Sequence, residues 1–177
     1  MLPICLEPDA FPRSVREATV SYYAARTLHF SSLSPGTCAL AHALTGDVDE
    51  AYRLFRLAAG MDLDDVKDET ATGLHTASQG GAYMAATMGL AGVRPDGDTL
   101  VVDPALPGTW GAVSLPLRHR GMRLRVRMNH EAVTIRMLSP GTLTVRYAGE
   151  TTTHRNGAGE KRAVHLCVTR RTAGAPA

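Results

Sequence analysis

Cysteine is scarce in this sequence, aromatic residues are few, and no long apolar run exists. Cys5, Cys38 and Cys167 are odd in number, far apart, and form no CxxC pair. Neither a disulfide framework nor a zinc-ligand spacing follows from them, so reduced thiols in a cytoplasmic setting are expected. Aromatic residues make up 5% of the chain. That is too few to interleave with basic residues as a stacking platform for single-stranded nucleic acid. No stretch reaches the ~18 apolar residues that a membrane-spanning helix needs. The opening MLPICLEPDAFP lacks a basic n-region, carries Glu7 and Asp9, and is broken by Pro3, Pro8 and Pro12. It does not read as a secretory signal. The nucleophile elbow GxSxG, the zinc motif HExxH, the phosphate-binding P-loop and the dinucleotide fingerprint GxGxxG are all missing.

What is present suits one ordinary domain or two small ones. The chain has 177 residues, 44% of them apolar and 20% charged, a folded composition rather than a disordered one. Its net charge of +2 conceals a split. Residues 1–92 carry a net −5 and residues 93–177 a net +7. The sign changes where the periodicity changes, which marks a boundary between two structural layers.

Residues 1–92 read as helical. Pro12 sits at the start of a helix from Arg13 to Ala25, where a missing N–H costs nothing. Ser34 reads as an N-cap with Pro35 first in the following helix, which runs to about Thr45 and stops at Gly46. Asp47 followed by Glu50 has the spacing of a capping box. Val48, Ala51, Tyr52, Phe55 and Ala59 recur at steps of three and four, so that helix should bury one stripe. A last helix opens around Thr72-Gly73-Leu74-His75, rich in the small residues Gly80, Gly81, Ala82, Ala85 and Ala86, as suits close helix packing.

From Val93 the period becomes two. Val113, Leu115 and Leu117 alternate with polar residues and proline; Leu124, Val126 and Met128 alternate with Arg123, Arg125 and Arg127. The pattern continues through Val133, Ile135 and Met137, then Leu143, Val145 and Tyr147, then Val164, Leu166 and Val168. Turn residues separate these runs at 95–98, 120–121, 129–130 and 139–141. The expectation is an α+β chain: a helical half, then an antiparallel β-sandwich-like half with one face buried. The tail from Thr172 should fray.

Four features compete as sites. His29, Ser31, Ser32 and Ser34 cluster before a helix, whose N-terminus offers unpaired N–H groups and partial positive charge to a phosphate or sulfate. On spacing alone a plain serine-rich cap loop is the favoured reading, because such caps are common. His75 in TGLHTAS could meet an anion, titrate, or be an ordinary satisfied histidine. Arg118, Arg120, Arg123, Arg125, Arg127, Arg136 and Arg146 form a basic stripe, read as a solvated face rather than a nucleic-acid platform. Asp62, Asp64, Asp65 and Asp68 suggest calcium, but the glycine and glutamate positions of an EF-hand loop do not fit, and no metal is expected.

The runs His29-Phe30-Ser31-Ser32-Leu33-Ser34-Pro35, Ala41 to Gly46, Asp49-Glu50-Ala51-Tyr52, Asp62-Leu63-Asp64-Asp65 and Gly73-Leu74-His75-Thr76-Ala77-Ser78 occur in one order. Together they resemble the end of the catalytic domain of glycoside hydrolase family sixty-five, which includes maltose, trehalose and kojibiose phosphorylases and some trehalose hydrolases. Val101-Val102-Asp103-Pro104-Ala105-Leu106-Pro107, Trp110 and residues 117–124 resemble that family's C-terminal sheet domain. The resemblance spans about Leu6 to Val168. It implies that residues 1–92 are the last part of an (α/α)6 barrel and 93–177 the β domain. It implies a phosphate site at His29, Ser31 and Ser32, with His75 facing the same pocket. It implies no cofactor, with inorganic phosphate as co-substrate in a phosphorylase and a disaccharide as substrate.

The family's general acid lies upstream of these motifs, and Glu7, Glu17 and Glu69 do not stand in its acid motif. Phe30 occupies a place where the family usually has Asp or Gly. A piece of such an enzyme would be inactive alone. It would expose apolar helix surface and so associate with a second copy or with a missing N-terminal polypeptide. A non-catalytic anion- or carbohydrate-binding module is the alternative class, and a decayed gene product the third.

Overall fold

The computed structural model describes residues 1–160 and 162–167. Val168, the tail from Thr172 and the side chain of Cys167 lie outside the described residues. The chain divides into two compact units: Met1–Arg94 with Pro104–Pro107, and Pro95–Asp103 with the described residues from Gly108 onward.

The first unit is helical. It holds α1 (Leu2–Leu6), a 3-10 turn at Pro8–Ala10, α2 (Arg13–Ala24), α3 (Ser34–Thr45), α4 (Val48–Ala59) and α5 (Thr76–Met84), which continues as a π-helix over Ala85–Leu90. α3 is the most buried, with Pro35, Gly36 and Cys38 to Ala43 all inside. It ends at Gly46, whose φ of 91° is the left-handed closure the sequence asks for.

Asp47 accepts the Glu50 N–H at 3.4 Å. The reciprocal arm of the expected box is absent: the Glu50 carboxylate turns to Arg53, at 2.7 Å from both Nε and Nη2. The buried stripe of α4 is Ala51, Leu54 and Ala58, rotated from the one the spacing suggests. Tyr52 and Phe55 flank it half-buried, their rings stacked at 6.2 Å. Two alanines let α4 lie close to α3, and the larger rings are left for the rim.

The glycine-rich last helix packs as its composition implies. A Cβ on Gly36 would lie 2.8 Å from Gly81 Cα and C, backbone against backbone. Its start differs from expectation. A 3-10 turn covers Thr70–Thr72, and His75 is the N-cap of α5 rather than part of its first turn. Ser34 likewise is the first residue of α3, not its cap. Arg94, 5% exposed, is held by both Asp9 oxygens at 3.2 Å. Cys5 and Cys38 are free and buried. Burial pushes the Cys5 thiol up to about 12, which makes it a packing residue rather than a nucleophile.

The second unit is built of strands. They are β1 (Val93–Asp96, which begins in the helical unit), β2 (Thr99–Val102), β3 (Val113–His119), β4 (Met122–Met128), β5 (Ala132–Met137), β6 (Gly141–Tyr147), β7 (Glu150–Asn156) and β8 (Arg162–Cys167). Two four-stranded sheets result, ordered β1-β2-β6-β7 and β3-β4-β5-β8. The second is antiparallel throughout. The first is not, and corrects the fully antiparallel expectation: β2 pairs with β6 in parallel, from Thr99↔Thr144 to Val102↔Tyr147. A hairpin cannot make a parallel pair; the long excursion through β3, β4 and β5 returns the chain in the same direction.

Strand β7, Glu-Thr-Thr-Thr-His-Arg-Asn, gives no sequence signal because it buries only Asn156. Elsewhere the alternation holds. Met122, Leu124, Val126 and Met128 are buried while the arginines between them are exposed. Each such buried side chain contributes roughly 1.5–3 kcal/mol. Arg120 and Gly121, at φ 49° and 79°, make the two-residue turn that joins β3 and β4. No helix among the described residues is long and apolar enough to cross a membrane.

Candidate functional site

Between α2 and α3 the chain passes through Thr27–Leu33, and this loop is organised by its own polar groups. Ser31 C=O accepts the Ser34 N–H at 3.2 Å and the Ser34 hydroxyl at 2.9 Å. Ser34 Oγ lies 3.0 Å from His29 Nδ1. The single hydroxyl proton is committed to Ser31, which assigns the proton of this contact to His29 Nδ1 and leaves Nε2 as the open end of the ring. His29 takes a φ of 52°, a conformation in which a non-glycine residue stores strain.

Burial lowers the His29 pKa, and the Arg53 guanidinium lowers it further. His29 is therefore a neutral ring near pH 7. Ser31 is exposed, and its Oγ accepts the Leu33 N–H at 3.3 Å. Ser31 and Ser34 line a hollow of ≈ 270 Å³ together with Tyr23, Thr27 and Thr37. Ser32 is half-buried and does not line it.

The loop is tied to the acidic segment after α4. Lys67 Nζ donates to the carbonyls of Phe30 at 3.0 Å and His29 at 3.4 Å. The same segment holds His75. Asp62 accepts the His75 N–H at 3.0 and 3.1 Å and faces its Nδ1 at 2.7 Å. Gln79 adds a bond to Asp62 at 3.4 Å. On the far side of the ring, Nε2 lies 3.5 Å from Glu69 Oε2. The hydrogen bond that His75 donates to Asp62 raises the His75 pKa, and the same bond lowers that of Asp62. His75 is thus a cationic donor over a wider pH range than a free imidazole, whereas His29 is neutral over a wider one.

Two of the four aspartates read as a calcium candidate are engaged locally. Asp62 holds His75, and Asp65 accepts from the N–H groups of Glu69 and Thr70 and from the Thr70 hydroxyl. Among the described residues no cluster of metal-ligating side chains forms. Both histidine-bearing parts, the 29–34 loop and His75, anchor on the 62–69 segment. Sequence reasoning weighed Asp62 only as a calcium ligand and did not find Lys67 and Glu69 as site residues. Asp62 and His75 are thirteen positions apart, a separation that no local pattern reads.

Residues 1–84 match the family description "Glycosyl hydrolase family 65 central catalytic domain". Residues 93–154 match "Glycosyl hydrolase family 65, C-terminal domain". The chain is 37% identical over 131 residues to kojibiose phosphorylase of Halothermothrix orenii, covering 74% of this chain and 17% of that protein. It is 31% identical over 147 residues to alpha,alpha-trehalose phosphorylase of Thermoanaerobacter brockii, covering 83% and 19%. An uncharacterized glycosyl hydrolase of Mycobacterium tuberculosis is 40% identical over 146 residues, covering 81% and 19%. The chain therefore spans less than a fifth of the length of these relatives. A solved protein from the human microbiome, described as a candidate kojibiose phosphorylase, shares the fold with a TM-score of 0.84. It is 24% identical, and the match covers 98% of this chain and 24% of that one.

Proposed function

The chain belongs to glycosyl hydrolase family 65, and from that premise we propose that it supplies the phosphate side of a disaccharide phosphorylase. His29, Ser31, Ser32 and His75 hold inorganic phosphate. The proton donor for the glycosidic oxygen comes from polypeptide outside these 177 residues. In an inverting displacement the acid and the attacking group stand on opposite faces of the sugar. A chain carrying one of them turns nothing over alone.

The observation that supports this reading is that two histidines with oppositely shifted proton affinities are both tied to the 62–69 segment. His29 is neutral, with Nδ1 on the Ser34 hydroxyl and Nε2 open. The hydrogen bond to Asp62 raises the proton affinity of His75. Hydroxyls and a cationic N–H at helix starts are the donors that a phosphate takes. The helical unit fits the last part of an (α/α)6 barrel, completed by further chain or by a partner. The test is incubation of this chain with disaccharide and phosphate, reading sugar 1-phosphate. None is expected. Sustained phosphorolysis that Ser31→Ala abolishes would overturn the division of labour. Phosphate binding measured by calorimetry should instead be present in the chain and weakened in Ser31→Ala.

A second reading, a non-catalytic anion-binding module, is favoured by one observation. The outer face of β3-β4-β5-β8 carries Arg118, Arg123, Arg125, Arg127 and Arg136, all exposed, and the strand registers place no carboxylate among them. Salt-dependent nucleic-acid binding lost in Arg125→Ala would favour it over the first.

A further inference from the structure

We propose that Asp62 is the positioning residue that fixes the proton of His75 on Nδ1, and that Glu69 is a built-in occupant of Nε2 which an incoming oxyanion displaces. The proposal rests on the phosphate-side reading and deepens it.

An ionised carboxylate can only accept hydrogen bonds. Asp62 receives the backbone N–H of His75, its Nδ1 and the Gln79 amide through both oxygens. Nδ1 must therefore carry a proton whatever the charge of the ring. Backbone and ring of one residue chelate one carboxylate: the N–H bonds keep the carboxylate in place, and a flip of the imidazole would forfeit its Nδ1 contact. The pair is largely sheltered, with side-chain exposures of 18% for His75 and 10% for Asp62. Everything variable about this histidine is then at Nε2, a donor when the ring is charged and an acceptor when it is not.

Nε2 faces Glu69, but loosely. The separation is 3.5 Å, and the Glu69 side chain is 62% exposed. Its backbone is held where it is: Asp65 accepts the Glu69 N–H at 3.1 Å. The titratable groups acting on His75 are Asp62, from the turn after α4, and Glu69, from the loop; α5 contributes only the uncharged Gln79. Two carboxylates thus share one imidazolium. One is clamped through three donors, while the other rests on the end that a ligand would use. A phosphate oxygen on Nε2 replaces a long, solvated contact with a short one between charges. Glu69 must leave for it to do so, because the two anions would otherwise meet at one donor.

The probe is inorganic phosphate added to the full chain, with the nitrogen shifts of the His75 ring read by NMR. Without phosphate, the wild-type ring should already show the Nδ1-protonated pattern. Phosphate should then move Nε2 saturably, with an affinity that falls as pH rises through the elevated His75 pKa. Glu69→Gln, an exposed change that should not disturb folding, is expected to tighten phosphate binding about threefold. Asp62→Asn should weaken it roughly tenfold and mix the tautomers. An Nε2-protonated neutral ring in the wild type, or Glu69→Gln binding phosphate no better, overturns the proposal. If phosphate moves none of His29, Ser31 and His75 in the wild type, the phosphate-side reading falls and the role of Glu69 falls with it. If phosphate binds but neither variant changes it, only the roles given to Asp62 and Glu69 fail.

Discussion

In the helical unit the closest helix approaches are made by Gly36, Gly81, Ala43 and Gly89 beside buried Leu40, Leu54 and Leu90, yet Phe30 is 82% exposed, Leu63 86%, Leu28 73% and Tyr83 69%. The β unit leaves far less large apolar surface bare. Leu124, Val126, Ile135, Met137, Leu143 and Val145 are buried, and Leu138 alone among the described large apolar residues there is exposed. Alternation sorts a strand's residues by itself, since every second side chain points the same way. A helix sorts only what its neighbours cover. Small residues let α3 and α5 approach closely around buried Leu40, Leu54 and Leu90, and many of the remaining large apolar residues face outward. Bare apolar surface of this kind marks an interaction face, in keeping with the proposal that further polypeptide completes the helical unit.

The sharpest test of the contrast is deletion of volume where the β unit is full. Ile135→Ala removes a fully buried branch and should cost about 3 kcal/mol. Urea unfolding followed by Trp110, the single tryptophan of the chain, would read it. In the helical unit the equivalent injury is added volume. Gly36→Ala drives a methyl onto Gly81 backbone, which cannot rotate away, and should cost about 2 kcal/mol.

Gly80, one residue from Gly81, has nothing within 4 Å of its added Cβ. Gly80→Ala should stabilise the same helix by about 0.8 kcal/mol. Thermal melts followed by helical circular dichroism should therefore move in opposite directions for the two alanines. Equal losses would mean that close approach is not what holds α3 to α5.

The smallest expected effect lies on the arginine face. Arg125 stands directly opposite Arg136, and Arg118 opposite Arg123. In the other sheet Arg146 pairs with Asp96 at 2.8 Å. Like charges facing across strands destabilise a sheet. Arg125→Gln should thus raise stability by about 0.5 kcal/mol at low ionic strength, and the gain should vanish in high salt. A gain that persists in salt would trace to something other than charge.

The end of α3 at Gly46, the start of α4 at Asp47, the Arg120-Gly121 turn and the alternation of β4 are legible because each depends on residues within one or two turns of chain. The 29–34 serine loop is legible for the same reason. β7 is not, since a polar edge strand is defined by its partner β6 rather than by its own residues. The rotated stripe of α4 is not, because Tyr52 and Ala51 look alike to a periodicity that counts apolar residues without their size. Lys67 under the His29 loop and Asp62 beneath His75 are not, because an acidic run reads as a solvated or metal-binding segment until its fold carries it to two histidines.

The order of helices and strands, their buried alternation and the family were decided by the sequence, through short-range sterics, capping and the sorting of apolar from polar side chains. The parallel seam between β2 and β6, and the opposite directions in which the pKa values of His29 and His75 are shifted, were decided by tertiary structure. Each depends on groups far apart in the chain meeting at hydrogen-bond distance, and a proton's affinity is set by such neighbours rather than by the residue that carries it.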